Sequence, residues 1–240
     1  MSDGLKHRRL QPELMDDPSL DRKLHEQALV GLRRVNSLSR TTTVFERAIV
    51  KSGVLDGSTS EPLRILDIAC GGGDLVVQLA NRLHRRGCSV EIDGCDISPV
   101  AIEVATQQAR DTGCNRVNFF QHDVLQDTLA QSYDVVMCSL FLHHLDESDA
   151  LTLLAFMRQT ASQLVLVDDL QRTRFGYWLA WTGCRLLSRC YVVHVDGPRS
   201  VEGAFTVAEA KGLALRAEWC EPKIDRHWPE RFLMSCRIRS

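Results

Sequence analysis

Glycines and carboxylates in the first half of the chain have the spacing of a nucleoside-binding site. An apolar segment at residues 65–68 leads into Gly71-Gly72-Gly73, and a second apolar segment ends at Asp96. Glycines let a backbone approach a ligand closely, and free N–H groups at the start of a following helix attract an anionic group. An acid at the tip of the next strand can bind both hydroxyls of a ribose. We therefore predict that Asp96 binds the ribose of a nucleoside.

The glycine spacing narrows the class of nucleoside ligand. The nicotinamide fingerprint G-x-G-x-x-G, begun at Gly71 and Gly73, would need a third glycine where the chain has Val76. The chain also lacks the G-x-x-x-x-G-K-[ST] sequence of a phosphate-binding P-loop. A nicotinamide-dependent oxidoreductase is therefore disfavoured, and a P-loop nucleotidase is excluded.

The segment DIACGGGD at residues 67–74 resembles the D-x-[AG]-x-G-x-G-[DT] signature of class I S-adenosylmethionine-dependent methyltransferases. That family tolerates a residue such as Cys70 before the glycines, and the resemblance covers roughly residues 60–170. It implies S-adenosylmethionine as cofactor and S-adenosylhomocysteine as product. The implied fold is α/β: a doubly wound, seven-stranded, mostly parallel sheet with an antiparallel last strand, an N-terminal helical cap and a helical lid insertion.

The resemblance also implies which residues contact the cofactor. Asp96 would bind the ribose, Asp123 the adenine amino group, and the backbone N–H of Val124 the adenine ring. The full predicted set is Asp67, Ala69, Cys70, Gly71, Gly73, Asp96, Ile97, Asp123, Val124, Ser139 and Leu140.

Three histidines are candidates for a catalytic base. His143 and His144 follow an apolar strand predicted at 133–139, and open α/β sheets bind ligands at such strand ends. Imidazole titrates near neutral pH and suits general-base catalysis. His227, in a His-Trp-Pro segment between the last two predicted strands, is the third candidate. The alternative is that these histidines only pack in the structure.

Two further observations at strand ends constrain the chemistry. Asp168 and Asp169 are expected to be a solvated pair at a loop start, and we predict no metal site because the spacing identifies no further ligands. The [ND]-P-P-[YF] sequence of amine methyltransferases is absent after the fourth strand, where residues 139–142 read SLFL. Methylation of exocyclic amines is therefore disfavoured.

Apolar patterns place the remaining elements. Strands are predicted at 117–121, 164–167, 213–220 and 231–238, and helices at about 99–112 and 147–160, with one more beginning at Thr206 and ending at Gly212. Val100, Ala101, Val104 and Ala105 are expected to form the apolar face of the first of these helices. Thr206 and Glu209 have the spacing of a capping box.

The two segments outside this core are predicted to cover the site. We expect residues 1–58 to be a helical cap, with helices at 19–38 and 42–50 and a linker at 57–62, and residues 59–240 to be the methyltransferase domain. Arg33, Arg34 and Asn36 could touch the ligand, or could belong to a solvated helix end.

The insertion at about 171–200 begins with an aromatic-rich helix that extends to residue 187. It could be a lid over an apolar substrate, a dimer face, or a helix lying in a membrane interface. His194, Asp196 and Arg199 follow, around a Gly-Pro pair. They predict either a substrate-orienting loop or a structural turn.

Composition limits the partners and the compartment. Apolar residues make up 44% of the chain and charged residues 25%, values typical of a soluble globular protein. The net charge of −2 argues against nucleic-acid binding. Nine cysteines without a C-x-x-C pair indicate a reducing compartment, and no long uncharged apolar run occurs. We expect a cytoplasmic protein without stable membrane insertion.

The sequence thus predicts a methyltransferase that acts on a small apolar or aromatic molecule. Outside the core, a looser similarity points to bacterial methyltransferases of quinone and aromatic polyketide biosynthesis. We therefore expect a role in secondary metabolism. O-methylation of a phenolic or polyketide-like acceptor is the favoured reaction. C-methylation of a quinone-type ring, and a non-catalytic binding protein of the same fold, are the alternatives, and a homodimer is possible.

Overall fold

The computed structural model describes residues 5–16, 20–21, 23–24, 27–28, 31, 39–56 and 61–238. Arg33, Arg34 and Asn36 lie outside these residues, as do most of the predicted helix at 19–38 and most of the linker at 57–62. The division of the chain near residue 58 therefore stays a prediction.

A seven-stranded sheet forms the centre of the described structure, as predicted. Its strands are β1 (Leu63–Ile68), β2 (Val90–Asp96), β3 (Val117–Gln121), β4 (Tyr133–Ser139), β5 (Ala161–Leu170), β6 (Lys223–His227) and β7 (Arg231–Arg237). The spatial order is β3-β2-β1-β4-β5-β7-β6. Strands β1 to β5 are parallel, and β7 is antiparallel to both β5 and β6. The strand order reverses between β1 and β4, so a ligand crevice is expected at their carboxyl ends.

Helices cover both faces of the sheet. Those of the described residues are α1 (Thr41–Ser52), α2 (Asp74–Arg85), α3 (Pro99–Asp111), α4 (Glu147–Thr160), α5 (Arg174–Leu187), α6 (Tyr191–Gly203) and α7 (Val207–Arg216). Short 3-10 helices occur at Leu14–Asp16 and Leu142–His144. Among these residues no helix combines the length and the apolar character needed to cross a membrane.

Two apolar layers result from the period-two alternation of the strands. In β4, Val136 and Cys138 face a layer that includes residues of α4 and α7, whereas Val135 and Met137 face a layer that includes residues of α1 and α2. Both faces are thus buried, which explains why β4 reads as a continuous apolar run.

Helix α3 was predicted with the right bounds, but of its predicted apolar face only Ala105 is buried. Its N-cap Ser98 accepts a hydrogen bond from the Ala101 N–H, as expected for Ser-Pro at a helix start. Val100, however, is 62% exposed and Val104 is also exposed, while the buried residues of the helix are Ala105 and Ala109. Small residues face the sheet here because α3 packs closely against the glycine turn.

The C-terminal elements required a second correction. The Thr206–Glu209 capping box is confirmed, with the Glu209 carboxylate accepting the Thr206 N–H at 2.8 Å. The helix nevertheless continues through Gly212 to Arg216, and the sixth strand is Lys223–His227 instead of 213–220. Leu213 and Ala214, which the apolar pattern places in a strand, form the buried face of α7 together with Ala210.

The aromatic helix at the start of the insertion is confirmed as α5, but the segment after it is a helix and not a loop. Gly197 allows α6 to pack closely on α5, because a Cβ there would lie 2.3 Å from Cys184 Sγ. The Asp196 carboxylate accepts the N–H groups of Leu14 and Met15 at 2.8 and 3.1 Å. Asp196 therefore anchors the N-terminal 3-10 helix, and His194 bonds the Ser188 carbonyl.

Candidate functional site

A glycine turn connects β1 to α2 and leaves backbone facing open space. Ala69, Gly71 and Gly73 all have positive φ, at 53°, 52° and 77°. A Cβ on Gly71 would meet no atom within 4 Å, whereas one on Gly73 would lie 2.8 Å from Phe119 and 2.9 Å from Ala105. Gly73 is thus needed for packing, while Gly71 borders empty space at the N-terminus of α2.

Asp96 joins this turn to the end of β2. One carboxylate oxygen accepts the Gly71 N–H and the other accepts the Ser98 N–H, both at 2.9 Å. A carboxylate oxygen has two lone pairs, so each oxygen can accept one more hydrogen bond. The sequence anticipated a ribose-binding role but not these two backbone bonds.

Asp67 is buried beneath the same turn, and its Oδ1 atom has no hydrogen-bond partner. Burial, followed by the negative charge of Asp96, raises the pKa of this carboxyl well above its usual value. An unsatisfied buried oxygen costs free energy, which a donor or cationic group placed beside it would recover. Cys70 lies against the same acids, and burial is also the main cause that raises its pKa.

The other predicted cofactor residues lie at the carboxyl ends of β2, β3 and β4. Ile97 is exposed although apolar, Val124 is buried, and the Asp123 carboxylate accepts the Leu125 N–H at 3.0 Å. Ser139 accepts a hydrogen bond from Arg231, and Leu140 donates its N–H to the Asp168 carbonyl. The fold thus brings the predicted set to one edge of the sheet.

The His143 side chain is fixed by Asp169. Its Nδ1 atom lies 2.6 Å from Asp169 Oδ1, and its backbone N–H donates to Asp169 Oδ2 at 3.1 Å. Burial alone would raise the pKa of Asp169, but the charge and hydrogen bond of His143 and the Leu170 N–H lower it. Asp169 Oδ1 can accept a hydrogen bond from Nδ1–H, and in the neutral ring with this tautomer the Nε2 atom carries the lone pair.

A cavity of about 290 Å³ lies beside this ring, lined by Leu10, Gln11, Pro12, Glu13, His143, His144, Arg199, Ser200 and Gly203. Glu13 Oε1 lies 3.9 Å from His143 Nε2 and 4.0 Å from His144 Nδ1. The potential ligand atoms of these three residues lie within 4.8 Å of one another, a set that could hold a metal ion. Sequence reasoning missed Glu13, which lies in a polar segment without a motif.

Asp168 and Asp169 are buried, so the prediction of a solvated pair was wrong. Strand β5 extends to Leu170 and pairs there with β7, which encloses both acids within the sheet. Successive side chains of a strand point to opposite faces. Asp169 therefore meets His143 on one face, while Asp168 on the other accepts hydrogen bonds from Arg231 Nε (2.9 Å) and His227 Nε2 (3.2 Å).

The structure thus separates His227 from His143 and His144, which line the same cavity. His227 belongs to a buried polar cluster in which Arg231 also donates to Thr41 Oγ1 at 3.0 Å and Ser139 Oγ at 3.2 Å. Asp168 Oδ2 has no partner in this cluster. Arg231 was missed by sequence reasoning, although a charged residue beginning an apolar strand was a usable signal.

Arg8 is a third missed residue, and it positions the His143 segment. Its guanidinium donates to the carbonyls of His143, Leu145 and Gly203 and stacks on the Phe205 ring at 3.7 Å. Burial, followed by the charge of Arg172, lowers the pKa of Arg8 from its usual value. Nothing in the sequence near Arg8 indicates this role.

Comparison with known proteins agrees with this geometry. A family model described as a methyltransferase domain matches residues 65–163, which contain the glycine turn, Asp96 and His143. Residues 65–163 thus carry a methyltransferase domain. Magnesium protoporphyrin IX methyltransferase of Synechocystis PCC 6803, solved with bound SAH, has a TM-score of 0.60 at 17% identity. The match covers 94% of this chain and 91% of that one, so the methyltransferase fold extends over the chain.

Curated methyltransferases are similar to part of the chain. Ubiquinone biosynthesis O-methyltransferase of Psychrobacter cryohalolentis is 26% identical over 168 residues, 67% of this chain and 60% of that protein. Aklanonic acid methyltransferase DauC of a Streptomyces species is 34% identical over 84 residues, 33% of this chain and 37% of that protein. The chain spans less than two thirds of the length of either relative.

Proposed function

We propose that the chain transfers the methyl group of S-adenosylmethionine to the phenolic oxygen of a small aromatic or polyketide-like acceptor. The observation that carries this proposal is the His143–Asp169 pair at the carboxyl edge of β4, with His143 lining a cavity. An imidazole oriented by a buried carboxylate is a suitable base for a hydroxyl group.

The residues of the β1–β2 edge fit the cofactor. The open backbone at Gly71 and the remaining lone pairs of Asp96 suit the ribose, and the exposed Ile97 can cover an adenine ring. The unsatisfied Asp67 oxygen suits a cationic donor, and S-adenosylmethionine carries an ammonium group. When bound, the cofactor supplies an electrophilic methyl group on a sulfonium ion.

His143 would remove the acceptor proton. A phenol has a pKa near 10, like tyrosine, so at neutral pH the reacting oxygen is protonated unless a base assists. His143 Nε2 can accept this proton, and Asp169 stabilises the imidazolium through Nδ1–H. A positioned base contributes about 10²–10⁴-fold, and alignment of the reacting atoms contributes to the rest of the rate enhancement.

The acceptor class is supported by the cavity and by the relatives. A volume of about 290 Å³ suits a small molecule, and Leu10 and Pro12 provide apolar contacts beside Glu13 and the histidines. The names of the two relatives above refer to ubiquinone biosynthesis and to aklanonic acid. C-methylation of a quinone-type ring is the second candidate for this site.

The direct test is transfer of labelled methyl from S-adenosylmethionine to a panel of phenols, hydroquinones and aromatic polyketides. We expect S-adenosylhomocysteine to bind in calorimetry and an O-methyl product to form, identified by its carbon chemical shift. A C-methyl product would replace the reaction assignment and retain the cofactor. Tight binding without transfer to any acceptor would favour a non-catalytic binding protein.

We also propose a cytoplasmic location. All nine cysteines are unpaired, and several are buried among apolar side chains. Unpaired cysteines are typical of proteins from a reducing compartment.

A further inference from the structure

Helix α5 exposes large apolar side chains along one face. Phe175 is 52% exposed, Trp178 56%, Trp181 46% and Leu186 84%. The rings of Phe175 and Trp178 stack with centroids 6.0 Å apart. Tyr191, just beyond the helix, is 67% exposed. These five residues form what we term the α5 aromatic face.

Within the segment that carries the α5 aromatic face, the charged side chains are all positive, and Glu230 from another segment lies at its N-terminal end. The segment from Leu170 to Val195 contains no aspartate or glutamate. Arg174, Arg185 and Arg189 are exposed, and the Arg185 guanidinium lies 4.1 Å from the centroid of the Trp181 ring. A surface with aromatic rings between guanidinium groups complements a partner that is apolar beneath a negatively charged layer.

The opposite side of α5 is held by the protein. Gly176 and Cys184 are buried, and Cys184 packs in an apolar cluster with Ala28, Cys190 and residues of α6. The N-cap Thr173 donates to the Glu230 carboxylate at 2.6 Å and accepts the Gly176 N–H at 2.8 Å. The α5 aromatic face is therefore displayed on an anchored helix.

We propose that the α5 aromatic face docks on the surface of an anionic lipid bilayer, with the helix lying parallel to it. Fourteen residues span about 21 Å, so the helix would lie in the interface without crossing the apolar layer. Trp rings are suited to the headgroup boundary, and guanidinium groups bind lipid phosphates bidentately.

The other two occupants considered from the sequence fit less well. In a two-fold symmetric dimer the same face meets itself, which would bring the arginines of one copy close to those of the other. A lid over the acceptor would turn its aromatic rings toward the cavity, but no residue of α5 is among the residues that line it.

Vesicle co-sedimentation of the full chain tests the proposal. We expect binding to phosphatidylcholine vesicles that contain phosphatidylglycerol and weaker binding to pure phosphatidylcholine. High salt should reduce binding to the anionic vesicles toward the level seen with pure phosphatidylcholine. The double substitution Trp178→Gln and Trp181→Gln should weaken partitioning by about tenfold or more. The pair Arg185→Gln and Arg189→Gln should weaken binding to anionic vesicles by roughly fivefold per arginine.

Matched controls lie on other helices. Leu215 on α7 is 53% exposed and Arg110 on α3 is exposed, so Leu215→Gln and Arg110→Gln remove the same kinds of group elsewhere. Calorimetric binding of S-adenosylhomocysteine checks that each variant is folded. The docking proposal does not depend on the proposed methyl transfer, because the vesicle measurement reports lipid binding alone.

Three results would overturn the proposal. The first is that the wild-type protein does not bind anionic vesicles. The second is that the tryptophan variants bind them as tightly as the wild type does. The third is that the wild type is a dimer that binds no vesicles and that the tryptophan variant is a monomer, which would assign the face to a second copy.

Discussion

At the β1–β2 side of the sheet, the Asp96 carboxylate bonds Ser98 two positions away and Gly71 25 positions away. At the β5–β7 side, Arg231 bonds Thr41 across 190 positions, and Arg8 reaches the His143 carbonyl across 135. The first region is one βαβ unit, whereas the second is assembled from opposite ends of the chain. We infer that the first region is specialised for cofactor binding and the second for the acceptor, so substitutions in the two should have separable effects.

The largest effect is expected for His143→Ala. Loss of the base should lower kcat by about 10²–10⁴-fold, while the affinity for S-adenosylhomocysteine stays within about twofold of wild type. Steady-state kinetics and calorimetry measure the two quantities. His84→Ala, at an exposed position on α2, is the control. If the His143 variant keeps full turnover, catalysis depends on proximity of the two reactants and not on a base. The separation into a cofactor region and an acceptor region would then be weakened.

The next effect concerns stability on the acceptor side. Arg231→Met leaves the buried Asp168 without its guanidinium partner and with His227 alone beside it, which should lower the free energy of unfolding by about 3–5 kcal/mol in urea titrations. Arg216→Met, at an exposed pair with Glu147, should cost less than about 1 kcal/mol. The double variant Asp168→Leu/Arg231→Met also removes the buried carboxylate, so it should be more stable than Arg231→Met alone. If it is not, Asp168 and Arg231 do not form the stabilising pair inferred from the structure.

On the cofactor side, Asp96→Ala should weaken binding of S-adenosylhomocysteine by about 1–3 kcal/mol, the loss expected for hydrogen bonds to a carboxylate. The dissociation constant is measured by calorimetry, with Asp93→Ala as the control within β2. An unaltered constant in the Asp96 variant would remove the ribose assignment.

The smallest effect is a pH dependence. The pKa of Asp169 is lowered in the folded state, so its stabilising contribution is complete above the usual aspartate value of about 4 and is lost as the pH falls through the folded value. Unfolding in urea should show the stability difference between wild type and Asp169→Asn shrinking below about pH 4. Asp111→Asn, at an exposed aspartate, is the reference. A difference independent of pH would contradict the ionised state of Asp169.

The accuracy of the sequence-based predictions follows the same division. Strands β1 to β4, the capped start of α3 and the capping box of α7 were predicted because apolar alternation and cap residues act between near neighbours. Part of the face of α3 and the loop predicted where α6 lies were wrong, since close packing at Gly73 and Gly197 decides both. The sixth strand was predicted too early because α7 continues through Gly212 to Arg216. The Gly-Pro pair at 197–198 reads as a turn locally, but close packing against Cys184 keeps it helical.

By itself the sequence determined the glycine turn, the acid after β2 and the methyltransferase architecture, because these depend on residues adjacent in one βαβ unit. Only the tertiary structure decided which histidine has an oriented ring and which partner each acid has. Adjacent residues of β5 point to opposite faces, so Asp169 meets His143 while Asp168 meets Arg231. It also decided that the aromatic residues of α5 face outward. Contacts between distant segments carry no local sequence pattern, so only the folded chain reveals them.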